Sequence, residues 1–149
     1  MKTSQKGINL IKEFETLVLK SYLCQAGKLT IGYGHTKDVV EGMRITEQQA
    51  DDFLREDLVE AEGYVSKYIK RKLNQNQFDA LVSFVFNCGV GNFLKSTLLK
   101  KVRVNPNDEN IAFQFGQWIY ADGKPSNGLR RRRAAEAELY FTKQDDEEL

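Results

Sequence analysis

Residues 29–35 read LTIGYGH, and this short stretch is the point from which the fold can be predicted. Its apolar residues at positions 29, 31 and 33 alternate with a threonine and a glycine, which is the period-two pattern of a β-strand. The preceding residues 25–28, QAGK, are typical of a turn. We therefore predict a small β-hairpin close to the amino terminus.

Helical periodicity accounts for most of the remaining chain. Apolar residues recur at helical spacing over residues 7–19 and again over residues 46–69, where Thr46 and Gln49 have the spacing of a capping box. A third helix, predicted to begin after Asn74 and to stop at Gly89, is apolar on nearly all sides and should be central and buried. Shorter helices are predicted near residues 93–102, 108–118 and 129–141. The pattern predicts an α+β domain with a small lobe and a larger helical lobe.

The composition is that of one soluble globular domain, with 149 residues, 41% of them hydrophobic and 29% charged. The formal net charge is +1, but residues 144–149 hold four acidic side chains, so the rest of the chain carries +5. We expect this acidic tail to be solvated and disordered. The mildly basic body suits an anionic polymer such as a cell wall or a nucleic acid.

The two cysteines, Cys24 and Cys88, are too few for a disulfide scaffold, and we expect Cys88 to matter only for packing. No apolar run approaches ~18 residues and no secretory signal is visible, so we predict no membrane insertion. The chain should accumulate in the cytoplasm with reduced thiols. His35 is the single histidine and no cluster has metal-ligand spacing, so we expect neither a metal nor a cofactor.

Glu15 is the first candidate for chemistry. On the predicted first helix it falls between Ile8 and Ile11, inside the apolar arc. Loss of hydration at such a position favours the protonated carboxylic acid, which is the form that a general acid needs. The alternative is a boundary glutamate paired with an arginine on the surface.

Cys24 and Thr30 flank the predicted turn. Thr30 shares one strand face with Gly32 and Gly34, which would let a ligand approach the backbone closely; alternatively, these glycines mark a bend or bulge. Cys24 acts as a nucleophile or a base only as the thiolate. Its alternative role is that of a small buried apolar residue.

Two further sets of charged residues have a predicted structural role. Asp57 lies in the apolar stripe of the second helix and needs a partner, so we predict a structural ion pair with His35. Four consecutive arginines, residues 130–133, could bind phosphate or nucleic acid. We favour a solvated face with one or two arginines turned inward to a carboxylate, because no aromatic platform accompanies the run.

Several segments resemble the phage lysozymes and endolysins of glycoside hydrolase family twenty-four. The family signature is Glu, eight residues, Asp or Cys, five residues, Thr, and here Glu15, Cys24 and Thr30 have that spacing. Many relatives have aspartate where this chain has Cys24. The resemblance includes the strings FETLVLKSY at residues 14–22 and TIGYGH at residues 30–35, and it continues through residues 45–57, 74–81, 86–91, Trp118 and residues 128–136.

The resemblance implies a mostly helical α+β lysozyme-like fold. Residues 15–60 would form a small lobe with the hairpin, residues 1–14 and 61–143 a larger helical lobe joined to it by a long helix, and residues 144–149 an acidic tail. It also implies a substrate, the β-1,4 bond between N-acetylmuramic acid and N-acetylglucosamine in bacterial peptidoglycan, whose hydrolysis lyses the host cell.

The resemblance further implies roles for individual residues. Glu15 would protonate the leaving oxygen, while Cys24 and Thr30 would orient or activate water on the other side of the sugar or stabilise the oxocarbenium-like transition state. Whether Cys24 is a nucleophile or a base stays open. Either Arg131 or Arg132 would support Glu15. Possible glycan contacts are Gly32, Tyr33, Phe86, Asn87 and Trp118.

Two rival functions need to be weighed. One is a non-catalytic peptidoglycan-binding module on the same fold, and the complete set of Glu15, Cys24 and Thr30 argues against it. The other is a nucleic-acid-binding protein that uses the four arginines, which the acidic tail and the near-neutral net charge disfavour. We expect a monomer that binds no nucleic acid and needs a separate holin for access to the wall.

Overall fold

Seven helices and two small antiparallel hairpins make up residues 1–144, which are the part of the chain described by this computed structural model. The acidic tail predicted at residues 144–149 therefore lies, except for Gln144, outside the described residues. The helices are α1 (Gln5–Phe14), α2 (Glu47–Tyr68), α3 (Gln75–Cys88), α4 (Val90–Lys95), α5 (Thr97–Val104), α6 (Asn110–Phe115) and α7 (Asn127–Phe141). The strands are β1 (Val18–Leu23), β2 (Leu29–Gly32), β3 (Tyr120–Ala121) and β4 (Lys124–Pro125).

The amino-terminal hairpin is confirmed, but the first helix is shorter than predicted. Glu15 caps α1 in an extended conformation, and the chain enters β1 at Val18 instead of continuing as helix to residue 19. β1 pairs with β2, with Val18 opposite Gly32 and Tyr22 opposite Thr30. Apolar residues after Phe14 fit both a helical and a strand period, and pairing with β2 decides between the two.

The long second helix and its capping box are confirmed. The Thr46 hydroxyl accepts a hydrogen bond from the Gln49 backbone N–H at 3.1 Å, and the Gln49 side chain accepts one from the Thr46 N–H at 2.9 Å. α2 has 22 residues and so is about 33 Å long. It contacts β2 near its start and α3 further along, and thereby connects the hairpin to the helical part of the molecule.

The third helix is central, as predicted. Every residue of α3 from Asn76 to Val85 is buried, and the helix packs against α1, α2, α4 and α7. It ends where Gly89 adopts a positive φ of 86°, a conformation that glycine allows at low cost. This helix is therefore the scaffold on which the other helices are arranged.

The carboxy-terminal half differs from the prediction in two places. The helix predicted at residues 93–102 is split at Ser96, whose hydroxyl donates to the Phe93 carbonyl at 2.7 Å and accepts from the Leu99 N–H at 3.0 Å. The helix predicted at residues 108–118 ends at Phe115, and the hairpin β3–β4 follows without having been predicted. Its turn is Asp122-Gly123, both with positive φ, which is a known hairpin signal. The final helix is confirmed.

The packing of these elements can be compared with the predicted division into two lobes. The hairpin β1–β2 contacts the rest of the chain mainly through α2, whereas α3, α6 and α7 contact one another. The assignment of residues 15–60 to a small lobe, and of residues 1–14 and 61–143 to a larger one, stays a prediction.

Gly7 in the first turn of α1 packs directly on Asp79 of α3. The buried Asp79 carboxylate accepts hydrogen bonds from the Ser4 N–H at 3.1 Å, from the Ser4 hydroxyl and from the Gln75 side chain at 2.7 Å. A Cβ atom at Gly7 would lie 2.7 Å from Cβ and Cγ of Asp79, which is closer than two carbon atoms can approach.

Gly7→Ala should therefore lower the free energy of unfolding by about 1–3 kcal/mol through overpacking. Gly63→Ala is the matched control, because Gly63 is also in a helix but a Cβ there meets no atom within 4 Å. That control should raise the free energy by roughly 0.5–1 kcal/mol. Urea unfolding followed by circular dichroism measures both, and equal effects of the two variants would contradict the packing argument.

Candidate active site

Glu15 lies at the end of α1 and points into an open cavity. Its side chain is 26% exposed, and its Oε1 accepts a hydrogen bond from Nη1 of Arg132 at 2.7 Å. The expected position inside an apolar helical arc is wrong, because α1 ends at Phe14 and the chain turns away. Glu15 is paired with an arginine, as in the alternative considered from the sequence, but this arginine is buried and does not lie on the surface.

The four arginines divide into two pairs. Arg130 and Arg131 are exposed, whereas Arg132 and Arg133 are 3% and 1% exposed. Inward-facing arginines are thus confirmed, and Arg132 is the one that binds Glu15. Arg131 lines the same cavity, and the hydrogen bond to Glu15 comes from its neighbour.

Glu136, which the sequence did not single out as functional, lies behind this ion pair and is fully buried. Its Oε2 accepts hydrogen bonds from Ser83 Oγ at 2.6 Å, Arg133 Nη2 at 3.1 Å and Arg132 Nε at 3.4 Å. Burial raises the pKa of Glu136, and the charges of Arg133 and Arg132 oppose that rise. The sequence did contain one indication of these contacts. Glu136 follows Arg133 by three residues and Arg132 by four, a spacing that brings side chains together on a helix.

Two neighbouring cavities meet at Asn87. The first, about 730 Å³, is lined by Glu15, Asn87 and Arg132 together with residues of α1 and α7. The second, about 460 Å³, is lined by Asn87, Cys88, Trp118 and Arg133, among others. Asn87 and Trp118, two of the predicted glycan contacts, are therefore brought close to the Glu15 cavity. Cys88 is half-buried and packs against the core, as expected, and it also lines the wall of the second cavity.

Cys24 and Thr30 are brought together across the hairpin turn. The Cys24 backbone N–H donates to the Lys28 carbonyl at 2.9 Å, and the buried Thr30 hydroxyl donates to the same carbonyl at 3.0 Å. The pKa of the Cys24 thiol is lowered most by the nearby Thr30 side chain and then by the backbone at Lys28 and at Ala26. This part of the hairpin thus favours the reactive thiolate.

Burial argues against the predicted direct glycan contacts of Gly32 and Tyr33. Gly32 has a φ of +67°, and a Cβ there would lie 3.5 Å from Cβ of Ala50, so α2 covers this face. Tyr33 is 8% exposed, and the Lys12 ammonium lies 5.5 Å from the centre of its ring. The interpretation that the glycines mark a bend fits the structure better. Phe86 lines a separate cavity of about 800 Å³ with Gly34, Asp57 and Tyr64.

The predicted pairing of His35 with Asp57 is present. Nδ1 of His35 lies 2.9 Å from Oδ2 of Asp57, and the imidazole stacks on Phe53 with ring centroids 4.1 Å apart. Burial raises the pKa of Asp57, and the contact with His35 opposes this effect. Because His35 follows β2 and Asp57 lies on α2, the pair fastens the hairpin to the long helix.

Within residues 1–144, no three side chains of His, Cys, Asp or Glu are grouped so that they could hold a metal ion. Over the same described range, no helix combines the length and apolar character needed to cross a membrane.

Comparison with known proteins defines the family. The family model described as phage lysozyme matches residues 12–136. The chain is 45% identical over 144 residues to an endolysin of Acyrthosiphon pisum secondary endosymbiont phage 1, covering 94% of this chain and 98% of that one.

Solved structures agree with this assignment. The muramidase domain of SpmX from Asticaccaulis excentricus superposes with a TM-score of 0.89 at 38% identity, covering 95% of this chain and 99% of that one. A mutant of P22 lysozyme gives a TM-score of 0.88 at 36% identity, with the same coverage of both chains. The chain belongs to the phage lysozyme family, which confirms the predicted α+β lysozyme fold. It is a glycoside hydrolase of the muramidase type.

The two cysteines should differ in reactivity towards iodoacetamide. Cys24 should react faster near neutral pH, because hydrogen bonding lowers the pKa of its thiol whereas burial raises the pKa of Cys88. Thr30→Val should slow alkylation of Cys24 several-fold and leave Cys88 unchanged. Peptide mapping by mass spectrometry gives both rates; an unaltered Cys24 rate in Thr30→Val would rule out the hydrogen bond as the cause.

Proposed function

We propose that this enzyme is an endolysin that hydrolyses the β-1,4 bond between N-acetylmuramic acid and N-acetylglucosamine in bacterial peptidoglycan. The observation that carries the proposal is the half-buried Glu15 carboxyl group, held by Arg132 in an open cavity next to Asn87. A positioned carboxyl group at a cleft is what glycoside hydrolysis requires of its general acid.

In the proposed reaction, the protonated Glu15 donates its proton to the glycosidic oxygen as the bond to the sugar C1 breaks. The carboxylate that remains is stabilised by the Arg132 guanidinium, which donates to Oε1 at 2.7 Å. Arg132 is buried and held by further contacts on α3 and α7, so it restricts Glu15 to one orientation.

Cys24 and Thr30 are proposed to act on the opposite side of the sugar ring. As a base, the Cys24 thiolate accepts a proton from water while the water oxygen bonds to C1. As a nucleophile, its sulfur bonds to C1 as the leaving group departs with the Glu15 proton, and water then displaces the sulfur. Thr30 supports both roles, since its side chain is the main influence that lowers the pKa of the Cys24 thiol.

Glycan contacts are proposed for the Glu15 cavity and for two other cavities. Asn87 offers an exposed amide between two cavities, and the half-buried Trp118 presents an aromatic surface in the second. Phe86 contributes to a third cavity beside the hairpin. Amide and aromatic groups together suit sugars with polar edges and apolar faces.

The proposed setting is the bacterial cell. The enzyme would act as a monomer, remain in the host cytoplasm until a separate holin opens the membrane, and then reach peptidoglycan. Nucleic-acid binding through the arginine run is disfavoured, because Arg132 and Arg133 are buried and only Arg130 and Arg131 remain exposed. A purely glycan-binding module is disfavoured because such a module has no need of a carboxyl group held on a buried arginine.

Glu15→Gln should abolish hydrolysis while preserving the fold, because the amide cannot donate the proton. Release of reducing ends from purified peptidoglycan and clearing of outer-membrane-permeabilised Gram-negative cells measure the loss, which should reach at least about 100-fold. Glu41→Gln, an exposed loop variant with the same charge change, is the control and should keep full activity. Activity in Glu15→Gln with an unchanged circular dichroism spectrum would remove Glu15 from the mechanism.

Cys24 substitutions test the second proposed catalytic group. Cys24→Asp should retain activity, because a carboxylate can serve as either base or nucleophile, whereas Cys24→Ala should lose most of it. The same reducing-end assay, run under reducing conditions, compares the variants. A fully active alanine variant would show that the thiol takes no part in the reaction.

A further inference from the structure

Two buried positive charges share one buried carboxylate beneath the Glu15 cavity. Arg132 contacts Glu15 through Nη1 at 2.7 Å and Glu136 through Nε at 3.4 Å. Arg133 Nε lies 2.7 Å from the other oxygen of Glu136, and Arg133 Nη2 donates to Asn87 Oδ1 at 2.8 Å. One carboxylate therefore contacts both side chains that reach toward the two cavities.

We propose that Glu136 is a positioning residue for the hydrolysis reaction, which orients Arg132 on Glu15 and Arg133 on Asn87 and balances their charge. The inference rests on the proposed function and extends it to a residue outside the cavity. Glu136 is fully buried and lines neither cavity, so it acts through the two arginines.

The geometry leaves Arg132 little freedom. Besides Glu15 and Glu136, its Nη2 contacts the Ser83 hydroxyl at 3.4 Å and the Ser83 carbonyl at 3.5 Å. Ser83 itself donates to Glu136 at 2.6 Å, so Glu136 and Ser83 hold the guanidinium from the side opposite Glu15. A side chain fixed in this way by its surroundings positions the group it contacts more accurately than an unsupported one.

Arg133 is fixed in a similar way. Its guanidinium lies 5.1 Å from the centre of the Phe84 ring, and its Nη1 contacts the sulfur of Cys88. Together with the contacts to Glu136 and Asn87, these place a fully buried cation at the wall of the second cavity. The orientation of the Asn87 amide, which lies in both cavities, thus depends on Glu136 through Arg133.

The charge balance gives the proposal its distinctive consequence. The negative charges of Glu15 and Glu136 balance the positive charges of the two guanidinium groups. Removing the charge of Glu136 leaves one positive charge unbalanced beside Glu15. An uncompensated guanidinium favours the carboxylate over the carboxylic acid that the reaction needs. The other charged groups around this cavity are exposed, and solvent screens them: Glu13, Arg131 and Glu138.

The test compares pH profiles of kcat for hydrolysis of purified peptidoglycan. Glu136→Gln should move the basic limb to lower pH by about one unit, since a nearby opposite charge has effects of this size. Arg133→Met should move the same limb to higher pH, because it removes a positive charge. The double variant, with Glu136→Gln and Arg133→Met combined, should have its basic limb close to the pH found for the unmodified enzyme. Arg130→Met and Glu41→Gln, exposed variants with the same charge changes, should leave it unmoved.

A merely structural role predicts a different pattern. Val102→Ala, a destabilising core change on α5, should lower stability without moving the limb. If Glu136→Gln and Arg133→Met behave like this control, the inference is overturned. Should Glu136→Gln fail to fold, the sign of the shift in Arg133→Met decides the question alone. If the unmodified enzyme does not hydrolyse peptidoglycan, the proposed function is overturned as well. If it is active but the basic limb of the pH profile stays in place in both variants, only this inference is overturned.

Discussion

The need to pair buried charges organises the carboxy-terminal helix and the site above it. Arg132, Arg133 and Glu136 are all within one turn of α7 and almost fully buried against α3. A charge that loses its hydration is stable in the interior only when an opposite charge and hydrogen bonds replace the water. Glu136 supplies both, and it leaves Nη1 of Arg132 free to contact Glu15. The position of the catalytic candidate is thereby fixed from the centre of the molecule outward.

This arrangement links the site to the same helix that organises the core. Ser83, on the buried stretch of α3, donates to Glu136, and Asn87, one turn further along α3, accepts from Arg133. Buried ion pairs add little net stability compared with apolar packing, but breaking one is costly because it leaves a charge unpaired. The network is therefore better understood as a means of fixing side-chain geometry than as a source of stability.

Local signals made much of the fold predictable, and non-local contacts account for the rest. The capping boxes at Thr46 and Asn74 and the apolar faces of α2 and α3 are encoded within a few residues, so their start points and burial followed from the sequence. The first two residues of β1, Val18 and Leu19, were predicted as helix because their strand character depends on a partner that comes later in the chain. The role of Glu136 could not be predicted, because a glutamate next to arginines on a helix usually faces solvent, and only packing on α3 shows that it is buried.

The early end of α1 also determines which element spans the interval between Glu15 and Cys24. Because Glu15 caps the helix in an extended conformation, most of the residues between it and Cys24 form β1, which is paired on one side with β2. On the other side of β1, the Ser21 backbone N–H donates to the Met43 carbonyl at 2.9 Å, and the Leu19 carbonyl accepts from the Ile45 N–H at 2.9 Å. A strand held on both edges cannot gain or lose a residue without shifting its side chains to the opposite face or introducing a new irregularity. The interval between the carboxyl group and the thiol is thus spanned by a paired strand with one irregularity between Val18 and Tyr22, whereas the orientation of the carboxyl group is fixed by the buried arginine.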